Sequence, residues 1–437
     1  MLDDVSVSLA GFNSATLFCW TSPSIPIILS KNVDIDSVSY LTIIPPLAMI
    51  LGSPMYSFLM NFWGRKYTII TMAFLHSTAW LIIALCESLH MLYVSKFIHG
   101  IGDACLFSTI PVYVGEISTA KVRSTWGNSI AVFIYFGQFS INAVGYFFDI
   151  RTTAFIFIST PILFFAIFLP MPETPYYYIM KSRTEEAKSS LCRLRGNRNI
   201  EEDFKRLEYD VRKQVSDSGS FKDLFCTKSH QRAMMICSLV RGVQQFGGIS
   251  AFALYTQYIF DQMGKSIDRG YSAMIYTGML AVSNLLGSLF INKLGTTSGM
   301  VLSCMGCTVT LFSEAVFFYF QEFTTANVSS ITWFPVLGMM LYVLSYSLAL
   351  GIVPTVIVGE LFSANVKAKA SCIMTVVFAV YIVISTKLFQ VLSTNFGFYV
   401  PFTFFGFCTL LGAYLSKLFV PNTKGRSLEE IQNTLNH

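Results

Sequence analysis

Apolar stretches of roughly 20 residues, the length an α-helix needs to cross the hydrocarbon of a bilayer, recur along almost the whole chain. Twelve can be marked, at about 5–29, 38–60, 67–86, 89–114, 126–148, 153–171, 233–260, 270–291, 298–320, 333–358, 371–394 and 399–420. Hydrocarbon offers no partner to a backbone N–H or C=O, so each stretch has to satisfy its own polar groups as a helix. A composition of 53% hydrophobic and 13% charged residues, with 40 Phe and 21 Tyr, is more than one soluble core can hide. The expected fold class is therefore an all-α polytopic membrane protein of twelve transmembrane helices, six on each side of a long polar segment. This divides the chain into an N-terminal bundle (1–171), a linker (172–232), a C-terminal bundle (233–420) and a tail (421–437). The first stretch lacks a basic leader and a small-residue cleavage site, and is read as a retained helix.

Lys and Arg in the short loops set the orientation. Arg65, Lys66, Lys121, Arg123, Lys293, Lys367, Lys369, Lys424 and Arg426 fall on one side together with the linker; Lys31, Arg151, Lys265 and Arg269 fall on the other. Both termini and the linker are expected to be cytoplasmic. Asn327-Val328-Ser329, a glycosylation acceptor sequence, then lies outside. The basic residues are not interleaved with a base-stacking surface, so the net charge of +5 gives no reason to expect a nucleic-acid partner. In the linker, Ala187, Leu191 and Leu194, and then Ile200, Phe204, Leu207 and Val211, recur at helical spacing between charges, which predicts short amphipathic helices at the membrane face. Ser427, three residues before Glu430, forms a capping-box pattern for one more helix in the tail.

The ten cysteines sit mostly inside apolar stretches and read as packing residues. Cys304-x-x-Cys307 lacks a His or a second pair beside it, and no Ser/His/Asp, Cys/His or metal-ligand constellation stands out. Neither an enzyme, a metal nor a cofactor is expected.

Residues 239–255 read LVRGVQQFGGISAFALY, an apolar helix broken by Gln244-Gln245 and Gly247-Gly248. Adjacent amides and glycines at bilayer depth destabilise a span unless they line a cavity, so this is the expected solute site. Charges mark a second feature. Glu116 and Arg123 bracket the end of the fourth span with Arg65 in the neighbouring loop, and Glu360 and Lys367 repeat the spacing of seven in the second half. Such repetition is expected of a carrier built from two related halves, and the five residues are read as a cytoplasmic gate.

These pieces resemble the major facilitator architecture, and the motifs resemble the sugar porter family. The resemblance rests on Gly64-Arg65-Lys66, Pro111 to Ile117 with Arg123, Pro172-Glu173-Thr174-Pro175, Gln244 to Ile249, Gly359-Glu360-Leu361-Phe362 with Lys367, and Pro421 to Ser427. Trp20-Thr21-Ser22-Pro23 and Thr386-Lys387 look most like the insect branch that includes facilitated trehalose transporters. The resemblance implies facilitative movement of a sugar, trehalose or a hexose, across an animal cell membrane by alternating access, with Gln244, Gln245, Ser250 and Tyr255 as substrate contacts. A polyhydroxyl solute needs such amides and hydroxyls, and an aromatic wall for its CH face. The family's pattern is incomplete here. Ser250, Ala131, Leu280, Thr355 and Phe378-Ala379 stand where it has Asn, Gln, Asn, Trp and Asn-Trp, while Asn292, Thr296-Thr297 and Asn422 stand where its second-half latch is charged. Two alternatives follow: a non-transporting sensor or scaffold, and a carrier of a less polar solute. Asn13 occupies a place where proton-coupled relatives tend to carry Asp, which favours uniport.

Finally, Lys96, His99 and Asp103 share one face of the fourth helix, where the family usually has a small residue in place of Asp103. An acid at that depth needs a partner. His99 is the nearest, and the two are expected to form either a structural pair that neutralises itself or a pair that makes transport pH-sensitive near neutrality.

Overall fold

The computed structural model describes residues 2–118, 129–196, 200–216, 221–263, 268–324, 333–362 and 364–422, and their regular structure is helical. Span 1 is Leu2–Phe18 followed by Thr21–Leu29; span 2 is Ile35–Phe62; span 3 is Arg65–Leu85. Span 4 is Leu89–Ser108 continued by Ile110–Ile117, span 5 is Ser129–Phe147, and span 6 is Ile150–Phe157 continued by Ser159–Phe168. Span 7 is Lys228–Gln245 followed by Ile249–Gln262; span 8 is Arg269–Leu294; span 9 is Thr296–Phe323. Span 10 is Phe334–Ser347 followed by Val353–Leu361, span 11 is Ala364–Phe396 and span 12 is Tyr399–Phe419. Spans 7 and 11 begin well before their apolar stretches, because their helices run on past the hydrocarbon into polar sequence. Among the described residues, eight helices are long and apolar enough to cross a membrane. Spans 1, 7 and 10, each in two pieces, are not among them.

Local chemistry sets the ends. Asp34 caps span 2 by accepting the Ser37 N–H at 2.8 Å, and Asp149 caps span 6 by accepting the N–H groups of Arg151 and Thr152. Gly64 and Gly295 turn the chain between spans 2 and 3 and between spans 8 and 9 at φ +93° and +80°, values that favour glycine. They occupy equivalent places in the two halves.

Outward faces are apolar, as lipid requires: Phe74 is 72% exposed and Val309 66%. Between spans, small residues let backbones meet. A Cβ on Gly137 of span 5 would stand 2.6 Å from the Phe12 carbonyl oxygen of span 1, and one on Gly100 of span 4 would stand 2.7 Å from the Pro45 carbonyl carbon of span 2. In the second half, the Phe252 ring nests among Tyr342, Phe402 and Phe405 at centroid distances of 5.2, 5.5 and 5.9 Å.

The connecting segment carries the expected amphipathic helices, Thr184–Arg195 and Glu201–Ser216, and two shorter ones, Pro175–Met180 and Phe221–Cys226. Ile179, Ala187, Leu191, Phe204 and Val211 form a separate apolar cluster. Leu194 packs instead against the cluster around spans 3, 4 and 6, and so ties the segment to the bundle. All ten cysteines are free thiols. Ser427 and Glu430 lie outside the described residues.

Gly100→Ala should lower the melting temperature of the purified protein, because the Pro45 backbone cannot move aside. Gly242→Ala, whose Cβ would meet Tyr381 at an ordinary 3.5 Å, should be neutral or raise stability by about 0.5–1 kcal/mol, the usual gain from replacing a helical glycine. Equal melting of the two variants would refute the close approach of spans 2 and 4.

Candidate functional site

The broken span 7 and the broken span 10 are stitched to each other. Where span 7 stops, Gly248 takes φ +91° and the Gly247 carbonyl accepts the Tyr342 hydroxyl at 2.8 Å. Where span 10 stops, the Leu350 carbonyl accepts the Gln244 amide at 2.9 Å and the Leu350 N–H donates to Ser303 at 3.2 Å. Gln244 also donates to the Tyr346 hydroxyl at 3.1 Å and accepts from Arg241 at 2.9 Å. Ser250 donates to the Gln245 side-chain oxygen at 2.5 Å, across the break. Gln244, Gln245, Ser250 and Tyr255 are all at most 7% exposed. The structure thus brings the four expected residues to one interrupted helix, with their polar groups already engaged.

Beyond the glycines, the second piece of span 7 faces the first half. Tyr255 places its hydroxyl 3.3 Å from Thr42 of span 2, and its ring lies 5.5 Å from that of Phe389. Gln257 donates its backbone N–H to Ser22 of span 1 and its amide to the Asn142 carbonyl of span 5, both at 3.3 Å. Ser22 in turn donates to the Asn142 side chain at 2.6 Å. Sequence reasoning missed Arg241, Tyr346, Asn142 and Gln257. The signal was present for Gln257 and Asn142, which are amides on apolar helices. The Gln138 amide nitrogen and the Tyr276 hydroxyl, on spans 5 and 8, are buried without a hydrogen-bond partner among the described residues.

Spans 2 and 11 form a second seam between halves. Lys387 and Gln390 of span 11 reach Asp36 at 3.5 and 3.0 Å, and Lys387 reaches Ser39 at 3.2 Å. Farther along, Ser53 donates to the Cys372 carbonyl at 3.3 Å and Phe107 of span 4 meets Phe378 at 5.1 Å.

At the opposite end from Asp36, two of the residues expected at a gate, Arg65 and Glu116, are paired. Arg65 donates to one Glu116 oxygen through Nε at 3.2 Å and Nη2 at 2.9 Å, with side-chain exposures of 4% and 11%. Its guanidinium lies over Tyr176 and Tyr177. Glu173 completes the corner by accepting the backbone N–H groups of Arg65, Lys66 and Thr174 at 2.8–3.0 Å. Burial raises its carboxyl above the ordinary value, against the pull of those donors. Arg123 and Asn327 lie outside the described residues, as do the side chains of Glu360 and Lys367. In the second half, Thr297 donates to the Val420 carbonyl at 2.9 Å, a neutral contact at the place of the missing charges.

The Asp103 pair proves to be part of a larger group. His99 Nε2 is 2.9 Å from Asp103 Oδ2, as the spacing predicts. His76 of span 3 brings its Nε2 to 3.5 Å from Oδ1, and Ser14 of span 1 donates to Oδ1 at 2.5 Å. Lys96 turns elsewhere. Its ammonium donates to the Leu17 carbonyl at 2.5 Å, where span 1 breaks, and lies 4.8 Å from the Trp20 ring.

A buried charge left without its partner costs about 3–5 kcal/mol. Arg65→Ala and Glu116→Ala should each destabilise the purified protein by that order, and the double variant should lose far less than the sum. Additive losses in this thermodynamic cycle would mean that the pair contributes nothing.

Comparison with known proteins fits these observations. Residues 30–435 match the family model for sugar (and other) transporters. The facilitated trehalose transporters Tret1 of Bombyx mori and of Apis mellifera ligustica are 29% and 28% identical, over 100% and 99% of this chain and 86% and 87% of theirs. In the solved structures, the xylose transporter XylE from E. coli in a partially occluded inward open conformation superposes with a TM-score of 0.80 at 18% identity, covering 97% of this chain and 98% of that one. The major facilitator proton:xylose symporter XylE bound to 6-bromo-6-deoxy-D-glucose gives 0.78 at 20% identity, covering 99% of each chain. A twelve-span bundle with two helices broken beside paired amides is what such a carrier needs, and the chain belongs to the sugar (and other) transporter family, with the major facilitator fold.

Proposed function

We propose that this protein is a facilitative carrier of trehalose or a hexose, working as a uniporter by alternating access between two six-span bundles, 1–171 and 233–420. The observation that carries this reading is the placement of Gln244 and Gln245 at the break of span 7, whose second piece seals against the first half through Tyr255 and Gln257. A sugar's hydroxyls offer the same donors and acceptors that Leu350, Tyr346 and Ser250 now supply to the two amides. Exchange of one set for the other couples binding to the joint between spans 7 and 10. Gln138 and Tyr276 supply further donors. The likeness to insect trehalose transporters favours a disaccharide, and Asn13 on span 1 favours uniport. Lys and Arg placement puts both termini and the Arg65 end in the cytoplasm. There Arg65, Glu116 and Arg123, with Glu360 and Lys367 opposite, act as the inner gate. Asp36, Ser39, Lys387 and Gln390 close the outer one. Asn327 is an outward glycosylation site.

Labelled trehalose and glucose should enter vesicles containing only this protein, and preloaded unlabelled sugar should accelerate that entry. Gln244→Ala and Gln245→Ala should each weaken half-saturation by roughly 5- to 150-fold, the equivalent of about 1–3 kcal/mol for a lost buried hydrogen bond. Unchanged kinetics in both, at equal surface expression, would remove these residues from the site. Saturable binding without counterflow would favour the sensor reading, which the full internal pairing of Gln244 also fits. Sugar-driven proton movement would replace uniport by symport, with Asp103, hydrogen-bonded to Ser14 of span 1, as the candidate carboxylate.

Lys387→Ala should act mainly on the outer gate. The Lys387–Asp36 pair is solvent-exposed, so its loss should change stability by no more than about 1 kcal/mol. Entry and exit rates should nevertheless shift relative to each other when measured under zero-trans conditions. Unaltered asymmetry would show that this contact does not gate.

A further inference from the structure

His76, His99 and Asp103 form a compact group inside the first half, away from the amides of span 7. One ligand-type atom from each lies within 4.8 Å of the others, and all three residues are at most 4% exposed. His76 Nε2, His99 Nε2 and His99 Nδ1 have no hydrogen-bond partner among the described residues. The Asp103 oxygens stand beside the two Nε2 atoms, at 3.5 and 2.9 Å, but off the line of a hydrogen bond. That is how ligands around a common centre sit: bonds of about 2.0–2.1 Å in a tetrahedral zinc site place neighbouring donor atoms roughly 3.3 Å apart. Lys96 does not neutralise the acid, because its ammonium is engaged by the Leu17 carbonyl and the Trp20 ring. Outer contacts are also in place. Ser14 donates to Asp103, and Asn13 lies 3.0 Å from His76 Nδ1 with Thr160 behind it at 3.2 Å. With the amide of Asn13 turned over, its oxygen accepts an Nδ1–H and leaves the His76 Nε2 lone pair pointing at the centre.

We propose that His76, His99 and Asp103 bind a zinc-class divalent ion, held by two neutral imidazoles and one carboxylate, with a fourth position open to water. The ion fastens spans 3 and 4 to each other, and through Ser14 and Asn13 to span 1 just before its break at Cys19-Trp20. It takes up the buried negative charge that no Lys or Arg contacts among the described residues, and it acts as a structural staple of the first half.

The test uses the purified full-length chain in detergent, stripped with a chelator and titrated with Zn²⁺, with Co²⁺ as a spectroscopic probe. One equivalent should bind, raise the melting temperature, and give Co²⁺ ligand-field bands of a tetrahedral nitrogen and oxygen site without thiolate charge transfer. Asp103→Asn and His99→Gln should each weaken binding by at least about 100-fold, and Asn13→Ala by about 10- to 100-fold, the usual effect of removing an outer-shell partner. The wild-type Co²⁺ spectrum needs no variant to fold, and none of these readouts requires sugar, so the result is independent of the transport reading. No stoichiometric ion in the wild type, or equal binding by Asp103→Asn, would overturn the proposal. So would a stripped protein whose stability responds to pH but not to zinc; that outcome would return the group to a shared-proton pair of His99 and Asp103.

Discussion

Every helix break inside a membrane exposes backbone groups that lipid cannot satisfy, and much of the polar chemistry of this protein answers that one constraint. Span 1 breaks at Cys19-Trp20, and Lys96 reaches across from span 4 to the Leu17 carbonyl. Span 7 breaks at Phe246 to Gly248, and Tyr342 takes the Gly247 carbonyl. Span 10 breaks before Val353, and Gln244 and Ser303 take the two polar groups of Leu350. Each repair is made by a different span. A break in one helix therefore fixes its neighbour, and the interrupted spans cannot move without exchanging these bonds. A residue placed for this purpose is also well placed for a solute, since the groups it bonds are the ones a sugar could replace.

The strength of contacts differs between and within the halves. Within the first half, Gly137 and Gly100 allow backbone approach, and Arg65, Glu116 and Glu173 form an almost buried polar corner. Across the seams, the polar contacts include single hydrogen bonds at 3.3 Å, such as Thr42 with Tyr255 and Ser53 with Cys372, and an exposed pair at Asp36 and Lys387, beside ring contacts such as Phe107 with Phe378. Each of these polar contacts contributes on the order of 1 kcal/mol or less.

The sequence made the helices legible because membrane spans are long, apolar and must be helical; the twelve stretches and the amphipathic stripes of the linker follow directly from that. Gln244, Gln245 and Gly248 were legible for the same reason, as polar and flexible residues in an apolar run. Their bonding partners were not, since nothing in the chain order connects Gln244 with Leu350 or Gln257 with Ser22. Asp103 illustrates the boundary well. Its helical neighbour His99 follows from a spacing of four, whereas His76 and Ser14 arrive from other spans and change a pair into a three-helix cluster. Lys96 shares a face with both, yet it points to a helix break that sequence places only loosely. Periodicity reports neighbours on one helix, and long-range packing decides the rest.

The two halves also handle their turns differently. Gly64 and Gly295 keep the same positive φ, so the backbone of the turn is common to both. Around Gly64 stand Glu173, Arg65 and Glu116, and the linker helices pack beside them through Tyr176 and Tyr177. Around Gly295 stand Asn422 and the Thr297–Val420 bond, a neutral contact among the described residues. A neutral contact loses little when exposed to water, whereas separating a buried ion pair leaves both charges to be resolvated with loss of their mutual attraction. Loss of charge of both signs in the second half avoids stranding an unpaired ion, which is why the turn can be simplified there without destabilising the fold.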